Sequence, residues 1–525
     1  MILALLRLRA SGALQHHPRI VDAAHTATEH EKEFSLNTKN SKKWLKRAGI
    51  SLGIVLIGCS IWLWFIVNHL PSPLKPSASQ PIGVLFNNVR VLAMVDESSL
   101  SQSPQAVLVM GDRITEIAAA GELSAPPGVL VIDGQGKTLM PGLIDAHIHL
   151  HDELEFAAYL AHGVTGVRNM SGYPFHLRLT ERVAKGELLA PDFITTGPML
   201  NSSGPNEVIL QTTVSSADEA REAVRHQHHA GYRHVKVYSN LTPEAFTAIL
   251  DEAALLGMTV SGHSPEGKRT AGIPRKKPFE IPWEASLGKG LTTLEHIETI
   301  VWHGLRDDLT PEKMAVLATT LAQSGEAVTP TLIAHKRLVL IAQSKGAYLT
   351  RPGSDMINPL VTWFSKDALE YWSQMDPAVY EAPHAEFFLK ATGLLHQAGV
   401  PLLTGTDSGS FGIIPGESVT RELELFVAAG VSTFDALTSV TRRNAEILGF
   451  EKTGLILPGY RANLVLLAKD PLTDVGVVEH PVGVMVDGYW LDQQALDALK
   501  DNARSSSVSS FFRSLIRVIE MKLLS

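Results

Sequence analysis

Five short segments of the chain carry side chains that can bind divalent cations, and each lies at or near the end of an apolar run. The candidate ligands are four histidines, one lysine and one aspartate: His147, His149, Lys236, His263, His296 and Asp407. Imidazole nitrogens and carboxylate oxygens are common ligands of zinc and related cations. Each residue alone has an ordinary explanation, such as a hydrogen-bonded core histidine. Their occurrence at the ends of successive strand-like runs predicts a metal site.

The spacing of these residues suggests how they would share two cations. His147 and His149 are one residue apart, and alternate residues of a strand face the same side. Lys236 lies inside an apolar run, where burial favours the neutral amine. A neutral lysine beside two cations can take up carbon dioxide and become a carbamate that bridges them. We therefore expect two divalent cations, zinc being the expected metal, and a carboxylated Lys236.

The chemistry that this site would support is hydrolysis. Asp407 follows a strand-like run, and Gly405 lets the backbone approach its neighbours closely. Two cations lower the pKa of a bound water and polarise a carbonyl group. A carboxylate at Asp407 can bind one cation, take a proton from the bridging hydroxide and pass it to the leaving group. Asp407 is thus the candidate acid/base.

Strand-like and helical runs alternate between residues 141 and 450, a pattern typical of α/β folds with parallel strands. Eight strands are predicted, one ending at His147 and the others at 164–168, 192–196, 234–237, 259–262, 292–294, 327–332 and 401–404. This number predicts a (β/α)8 TIM-type barrel, whose active site lies at the carboxyl ends of the strands.

The flanks of the barrel differ from it in pattern. Short alternating runs at 82–140 and 451–495, including one at 454–456, predict one composite β-sandwich formed by both ends of the chain. Residues 496–525 are predicted to be a C-terminal tail that contains a solvated amphipathic helix. The insert at 335–383 carries Trp363, Tyr371 and Trp372 and is a candidate lid over the site.

The N-terminal region predicts a membrane anchor. No charged residue interrupts 48–70, which is long enough to cross a bilayer. Bulky residues in its distal half favour an uncleaved transmembrane helix over a signal peptide or a core helix. Four basic residues within 42–47 place the largely disordered tail 1–47 in the cytoplasm and the catalytic domain outside, periplasmic or extracellular. Residues 71–81 are predicted to be a stiff linker.

Composition restricts the classes of partner. The chain has 525 residues, which is enough for two or more folded units, and a formal net charge of −8. No basic stripe appears in the body of the chain, so a nucleic-acid partner is not expected. Its single cysteine, Cys59, excludes an intramolecular disulfide and a cysteine-rich metal site. A homo-oligomer is compatible with these observations.

The chain resembles the amidohydrolase superfamily, at the branch near imidazolonepropionase and the metal-dependent Xaa-Pro dipeptidases. The resemblance covers about residues 84–487 and is carried by the segments 139–149 (LMPGLIDAHIH), 163–168 (GVTGVR), 294–296 (LEH), 330–332 (PTL), 404–407 (TGTD), 442–446 (RRNAE) and 454–464 (GLILPGYRANL).

The resemblance implies cleavage of an amide, a dipeptide or a cyclic amide, with a small molecule or short peptide as substrate. His147 and His149 would bind the more buried cation, and His263 and His296 the more exposed one. Carboxylated Lys236 would bridge the two cations, and Asp407 would be both ligand and acid/base. One departure from many relatives is Asn169, where they carry aspartate; we expect it to affect packing.

Two alternatives stay open, and a third is disfavoured. The spacing of His263 and Glu266 fits a mononuclear deaminase, in which the glutamate protonates the substrate. A catalytically inactive, tethered binding protein would keep the barrel without turnover. A serine hydrolase is disfavoured, because the segment around Ser264 lacks the second glycine of a nucleophile elbow. Candidate substrate contacts are Tyr238 and Asn201, on loops that follow strands.

Overall fold

The structure is a computed structural model. It describes residues 38–68, 74–76, 80–99, 103–205, 208, 210–268, 279–376, 384–505 and 507–524. The chain divides after Trp62 into two compact units, the second of which holds the catalytic region. Most of the predicted tail, residues 1–37, lies outside the described residues.

The β-strands of the described residues are β1 (Gly83–Val91), β2 (Gln105–Met110), β3 (Arg113–Ala119), β4 (Val129–Asp133), β5 (Thr138–Pro141), β6 (Leu143–Ile148), β7 (Val164–Asn169), β8 (Asp192–Thr195), β9 (Met199–Asn201), β10 (Gln211–Thr213), β11 (His234–Val237), β12 (Thr259–Gly262), β13 (Leu291–Glu295), β14 (Ala327–Thr329), β15 (Leu464–Leu467), β16 (Pro481–Val486) and β17 (Tyr489–Asp492).

The α-helices are α1 (Thr38–Asn68), α2 (Glu155–Ala161), α3 (Pro174–Ala184), α4 (Ala217–Ala230), α5 (Pro243–Leu255), α6 (Trp283–Ser286), α7 (Ile297–Gly304), α8 (Pro311–Ser324), α9 (Leu332–Gln343), α10 (Pro359–Phe364), α11 (Lys366–Gln374), α12 (His384–Gln397), α13 (Glu417–Ala428), α14 (Thr433–Ser439), α15 (Arg442–Leu448), α16 (Gln493–Ser505) and α17 (Ser507–Leu524).

The barrel consists of parallel strands that close through backbone hydrogen bonds. β6, β7 and β8 pair in that order, and β9, β11, β12, β13 and β14 form a second parallel run. The amide of Gly197 donates to the carbonyl of His234 and joins the two runs on one side. The TIM-type barrel predicted from the alternating pattern is thereby confirmed. Pro198 lies between β8 and β9 and, having no N–H, cannot donate to a ladder there.

The eighth predicted strand, 401–404, is not a strand of the structure. Its pairing is reduced to a single bridge between Leu402 and Val328. Within this bridge the amide of Leu403 donates to the carbonyl of Val328, and on the other side the amide of Ala146 donates to the carbonyl of Thr404. These bonds hold the segment between β14 and β6 and close the barrel. The prediction failed because the chain turns into the 405–408 loop before a ladder can form.

The flanking sheet is built from both ends of the chain, in the order β17-β16-β15-β5-β1-β2-β3, with β4 paired to β1. Phe86 of β1 lies against Trp490 of β17, with 5.2 Å between the ring centroids. The two halves of the sheet therefore fold over a common apolar core. The strand predicted at 454–456 is absent from it. Gly454 has a left-handed φ of +83°, and Ile456 is buried in that core without joining a ladder.

Helix α1 covers residues 48–68 of the segment predicted to be an anchor, and its part Lys46–Phe65 is by length and composition a candidate membrane span. It is the one such helix among the described residues. Residues 69–70 of the predicted span lie outside the described residues. The helix begins at Thr38, ahead of the predicted span 48–70, so residues 38–47 of the tail are helical. Within the predicted linker 71–81 the described residues are 74–76 and 80–81. Leu74 is buried against the barrel, and its carbonyl accepts a hydrogen bond from the amide of Leu189.

The C-terminal helix corrects one expectation. A solvated tail was predicted, but α17 packs on the catalytic domain and buries Arg513, Ser514 and Met521. The guanidinium of Arg513 forms an ion pair with Asp152, 2.9 Å away. Amphipathic periodicity shows that one face is apolar, but it does not show whether that face has a partner within the chain. Here it has one, close to the mouth of the barrel.

Candidate metal centre

The predicted ligands come together at the carboxyl end of the barrel. His147 lies on β6 and His149 directly follows it. Lys236 lies on β11, His263 follows β12 and His296 follows β13. The loop that carries Asp407 is held to β6 by a hydrogen bond from its amide to the carbonyl of His147. Parallel strands carry their last residues to one end of a barrel, so residues distant in the sequence become neighbours.

Three of these side chains already form a group that can hold a cation. Potential ligand atoms of His147, His149 and Asp407 lie within 4.8 Å of one another. Nε2 of His149 is 3.0 Å from Oδ1 of Asp407, and Nε2 of His147 is 3.5 Å from the same oxygen. Burial alone would raise the pKa of Asp407, but the hydrogen bond from His149 and the nearby imidazoles hold it well below its usual range. The carboxylate is therefore ionised.

The remaining two histidines continue this group. The ring of His296 lies 4.7 Å from that of His147 and 4.6 Å from that of His263. Burial lowers the pKa of His296 to about 4 and that of His263 well below its usual range. Neutral imidazoles offer a lone pair to a cation, whereas imidazolium cannot. All four predicted histidines thus lie in one cluster.

Lys236 is almost completely buried, with 1% of its surface exposed. Burial lowers the pKa of its amine to about 8, against the opposing effect of Glu295 and Asp407. A substantial neutral fraction of the amine near neutral pH is what carbamate formation requires. Because the side chain is buried, its amine does not extend to solvent.

Glu295 and Arg168 orient His147, a role that sequence reasoning missed. Oε2 of Glu295 is 2.7 Å from Nδ1 of His147, and Oε1 accepts a hydrogen bond from Arg168 at 2.8 Å. Burial opposes ionisation of Glu295, but Arg168 and His147 hold its pKa well below the usual range. The carboxylate therefore fixes the proton on Nδ1. In the sequence, the only indication of this role is that Glu295 immediately precedes the candidate ligand His296.

The donor set fits a cation on a specific observation. Nε2 of His147 is buried and has no hydrogen-bond partner among the described residues. Burial, with help from Lys236, lowers the pKa of His147 well below its usual range, so this nitrogen carries a lone pair. A buried, unpartnered acceptor facing a carboxylate is costly unless a cation lies between them.

Backbone geometry at the site is unusual. His296, Thr331 and Asp407 have left-handed φ angles of 70°, 48° and 60°. This conformation is rare for β-branched residues such as threonine and concentrates at functional sites. The hydroxyl of Thr331 lies 2.7 Å from Nδ1 of His296. The loop after β14 thus holds Thr331 in an unfavourable backbone conformation, and in that position Thr331 fixes the ring of His296.

Gly405 is needed where the Asp407 loop meets β6. A Cβ atom at this position would lie 2.9 Å from the backbone nitrogen of His147 and 2.5 Å from Cγ2 of Thr329. The close approach predicted for Gly405 is confirmed. Asp145 adds a second connection, because its carboxylate accepts hydrogen bonds from the hydroxyl and amide of Thr406 at 2.6 and 3.0 Å.

A cavity of about 630 Å³ opens above the cluster. Tyr238 lines it and packs against His263, with 3.9 Å between ring centroids. Asn201 is placed differently from the prediction: it is fully buried, donates to Gln211 and accepts from the amide of Asn240. It holds loops together and is not among the lining residues, and neither is Glu266. The side chain of Asn169 accepts a hydrogen bond from the amide of Leu150 and so connects β7 to the segment after His149.

Comparison with known proteins agrees with this geometry. Residues 138–491 match the profile of the Amidohydrolase family. Ochratoxinase of Aspergillus niger is 22% identical over 72% of this chain and 80% of its own length. Imidazolonepropionase of a Polaromonas species is 25% identical over 78% of this chain and 92% of its own.

A solved structure gives the same result for the fold. A putative prolidase from Bifidobacterium longum superposes with a TM-score of 0.58 at 23% identity, covering 81% of this chain and all of the other. The family profile spans the barrel together with β5, β15 and β16 of the flanking sheet. The chain therefore belongs to the amidohydrolase family, as a hydrolase that acts on carbon–nitrogen bonds.

Proposed function

We propose that the protein is a membrane-anchored, metal-dependent hydrolase that cleaves an amide, dipeptide or cyclic amide bond in a small molecule or short peptide. The observation that carries the proposal is the convergence of His147, His149 and Asp407 around the unpartnered Nε2 of His147. Two divalent cations, zinc in the first instance, would be held by these residues together with Lys236, His263 and His296.

The cations would lower the pKa of a water molecule and polarise the scissile carbonyl. The proposed role of the residues follows from their positions. His147 and His149 would hold the deeper cation, beside Glu295, and His263 and His296 the cation nearer Tyr238 and the cavity. Lys236, buried and with its amine partly neutral, would bridge both as a carbamate.

Asp407 is the proposed acid/base. Its carboxylate is ionised, lines the cavity and accepts a hydrogen bond from Ser410 at 3.0 Å. Ionisation lets the carboxylate accept a proton from the attacking water, and its position lets it deliver that proton to the leaving nitrogen. Ser410 restricts the rotation of the carboxylate and so keeps Oδ1 turned towards His149.

The deaminase alternative has less support. Its candidate acid, Glu266, does not line the cavity, whereas Lys236 does. An inactive binding protein would tolerate loss of a ligand, yet all six predicted ligands lie in or beside the cluster. We therefore favour the two-cation hydrolase over both.

The anchor gives the proposed enzyme a location. Helix α1 carries exposed apolar side chains such as Ile54 and Trp64 along its length, as a membrane-spanning helix does. Basic residues before the span would keep the N-terminus in the cytoplasm and place the catalytic domain outside, in the periplasm or the extracellular space.

The proposal is tested with the full chain in nanodiscs and a panel of N-acyl amides, Xaa-Pro dipeptides and cyclic amides. Hydrolysis should vanish after chelation and return with zinc. Asp407→Asn should lower kcat by about 100-fold or more, since general acid–base catalysis contributes that much. Asp501→Asn, on the exposed face of α16, is the matched control and should be unaffected. Zinc-independent turnover, or full activity in Asp407→Asn, would refute the proposal.

A further inference from the structure

The cavity above the metal centre has one distinctly apolar wall. Helix α10 contributes Leu360, Val361 and Phe364, the loop after Asp407 contributes Phe411, and the C-terminal helix α17 contributes Val518. None of these residues belongs to the proposed ligand set. A wall of this kind is favourable for an apolar part of a ligand, because binding removes both surfaces from water.

The apolar wall continues onto the surface of the protein. Phe364 lines the cavity and is nevertheless 53% exposed. Its neighbour Trp363 is 52% exposed and lies 4.8 Å from it and 6.0 Å from Phe511 of α17, between ring centroids. Exposed groups of large apolar side chains mark binding surfaces more often than ordinary surface. The wall thus extends from the metal centre to a rim in solvent.

The two helices that form the wall are fixed to residues 152–155, which follow the candidate ligand His149. Asn358, the residue before α10, donates hydrogen bonds to Glu155 at 2.8 Å and to Ser514 of α17 at 3.0 Å. On α17, Arg513 forms a buried ion pair with Asp152, and Arg517 forms one with Glu153. Val518 is therefore held at the cavity by contacts that α17 makes with Asp152 and Glu153, three and four residues beyond His149.

The charges of the cavity argue against a free carboxylate on the bound apolar part. Among the described lining residues, Lys236 is the one lysine and arginine is absent. Arg337 is nearby, but its guanidinium lies over the ring of Phe411, 4.6 Å from the centroid, and it does not line the cavity. An uncharged apolar group would lose nothing in such surroundings, whereas a carboxylate would lose hydration without gaining a cation there.

We propose that the substrate is a lipophilic amide whose uncharged acyl group lies along Leu360, Phe364 and Val518 and reaches the rim. This inference rests on the proposed function, since it assigns a substrate class to the same site. Phe364 and Val518 are specificity-determining residues in this account and take no part in the chemistry.

The test uses acetyl, octanoyl and dodecanoyl p-nitroanilides, in which the leaving group is constant. With the zinc-loaded chain in nanodiscs, kcat/KM should rise by about 100-fold or more from acetyl to octanoyl, as burial of several methylenes predicts. Phe364→Ser and Val518→Ser should each lower kcat/KM for the octanoyl compound by about 10-fold, through KM, and leave the acetyl compound unchanged. Phe364 is already half exposed, so its replacement should not prevent folding.

Val508→Ser is the matched control, because Val508 lies on the same helix, is 60% exposed and does not line the cavity. Val508→Ser should leave kcat/KM unchanged for both the acetyl and the octanoyl compound. Equal kcat/KM for the acetyl and octanoyl compounds would overturn the inference. So would a loss of octanoyl hydrolysis in Val508→Ser as large as that in Phe364→Ser and Val518→Ser. A pair of octanoyl p-nitroanilide and 7-carboxyheptanoyl p-nitroanilide tests the charge argument: the uncharged octanoyl compound should be the better substrate, and preference for the acid would contradict it.

Binding separates this inference from the proposed function. In Asp407→Asn without metal, calorimetry should show tighter binding of the octanoyl than of the acetyl compound, and Val518→Ser should remove the difference. Equal binding of the two compounds overturns the apolar wall even if hydrolysis is observed. Tighter binding of the octanoyl compound without any hydrolysis by the zinc-loaded wild-type chain would support the apolar wall as a binding surface and refute the proposed hydrolase function.

Discussion

Oε2 of Glu295 lies 2.7 Å from Nδ1 of His147, and both side chains are fully buried. This contact sets which nitrogen of His147 carries the proton and leaves Nε2 facing Asp407. Mutation of such a hydrogen-bond partner of a metal-binding histidine typically lowers metal affinity or activity by about 10–100-fold. Glu295 does not line the cavity, but through this contact with His147 it should affect how tightly the cluster binds metal.

Replacement of Glu295 tests this link. Glu295→Gln removes the negative charge, leaves Arg168 without its ionic partner and should weaken zinc binding and kcat by about 10–100-fold. Zinc titration by calorimetry and steady-state kinetics measure both effects. Glu284→Gln, at an exposed position, is the control. Unchanged zinc affinity in Glu295→Gln would show that the contact does not orient His147.

Glu155 makes stability depend on pH. Burial raises the pKa of this carboxyl from 4.5 to about 8, against hydrogen bonds from Asn358 and the loop at His151. Its folded-state pKa exceeds the unfolded one, so its contribution to stability is complete below pH 4.5 and is lost as the pH rises through about 8. The slope should be about 1.4 kcal/mol per pH unit between these values.

Glu155→Gln isolates this effect. Oε1 accepts the hydrogen bonds, whereas Oε2 is buried without a partner among the described residues, so an amide can replace the protonated acid. The unfolding free energy of the variant, relative to wild type, should increase between pH 5 and 8. Urea unfolding at several pH values measures it. A constant difference over this range would mean that Glu155 is ionised in the folded protein.

The ion pair between Asp152 and Arg513 should contribute to the attachment of the C-terminal helix. Asp152→Asn removes the negative charge that pairs with the buried guanidinium groups of Arg513 and Arg517. Removing one partner of a buried ion pair typically lowers the free energy of unfolding by about 3–5 kcal/mol. A lower thermal midpoint and faster proteolysis within α17 are the expected results. Asp501→Asn, whose ion pair is exposed, should change stability by less than about 1 kcal/mol. Equal midpoints for the two variants would contradict the role given to Asp152.

Gly405 is expected to tolerate no side chain. In Gly405→Ala the new methyl group would meet Thr329 and the backbone of His147, so the Asp407 loop must move away from β6. Zinc binding and activity should fall by at least about 10-fold, since small displacements of catalytic groups are costly. Gly58→Ala, where no heavy atom lies within 4 Å of the added Cβ, is the control. Wild-type activity in Gly405→Ala would show that the loop position is not critical.

The sequence predicts the barrel and places its candidate ligands, because both depend on local patterns. Alternation within a strand puts His147 and His149 on one side, and a strand end identifies Lys236 and His296 without knowledge of their neighbours. Parallel strands then bring the residues together by topology alone. The proposed roles of these residues remain to be tested.

The parts that sequence reasoning missed depend on contacts between distant segments. Asn201 was assigned to substrate because it follows a strand, but its partners Gln211 and Asn240 bury it. The C-terminal helix was expected in solvent, because nothing in its own pattern identifies Asp152 as a partner. Segment 401–404 has a strand-like composition but pairs through a single bridge.

The central claim is that this chain binds two cations and that Lys236 is required for the pair. The most direct test is the number of zinc ions per chain, measured by mass spectrometry of the zinc-loaded protein in bicarbonate buffer, for wild type, Lys236→Ala and the control Lys185→Ala. The account predicts two zinc ions per chain in wild type and Lys185→Ala, and at most one, without hydrolysis, in Lys236→Ala. Two zinc ions and full activity in Lys236→Ala would contradict it.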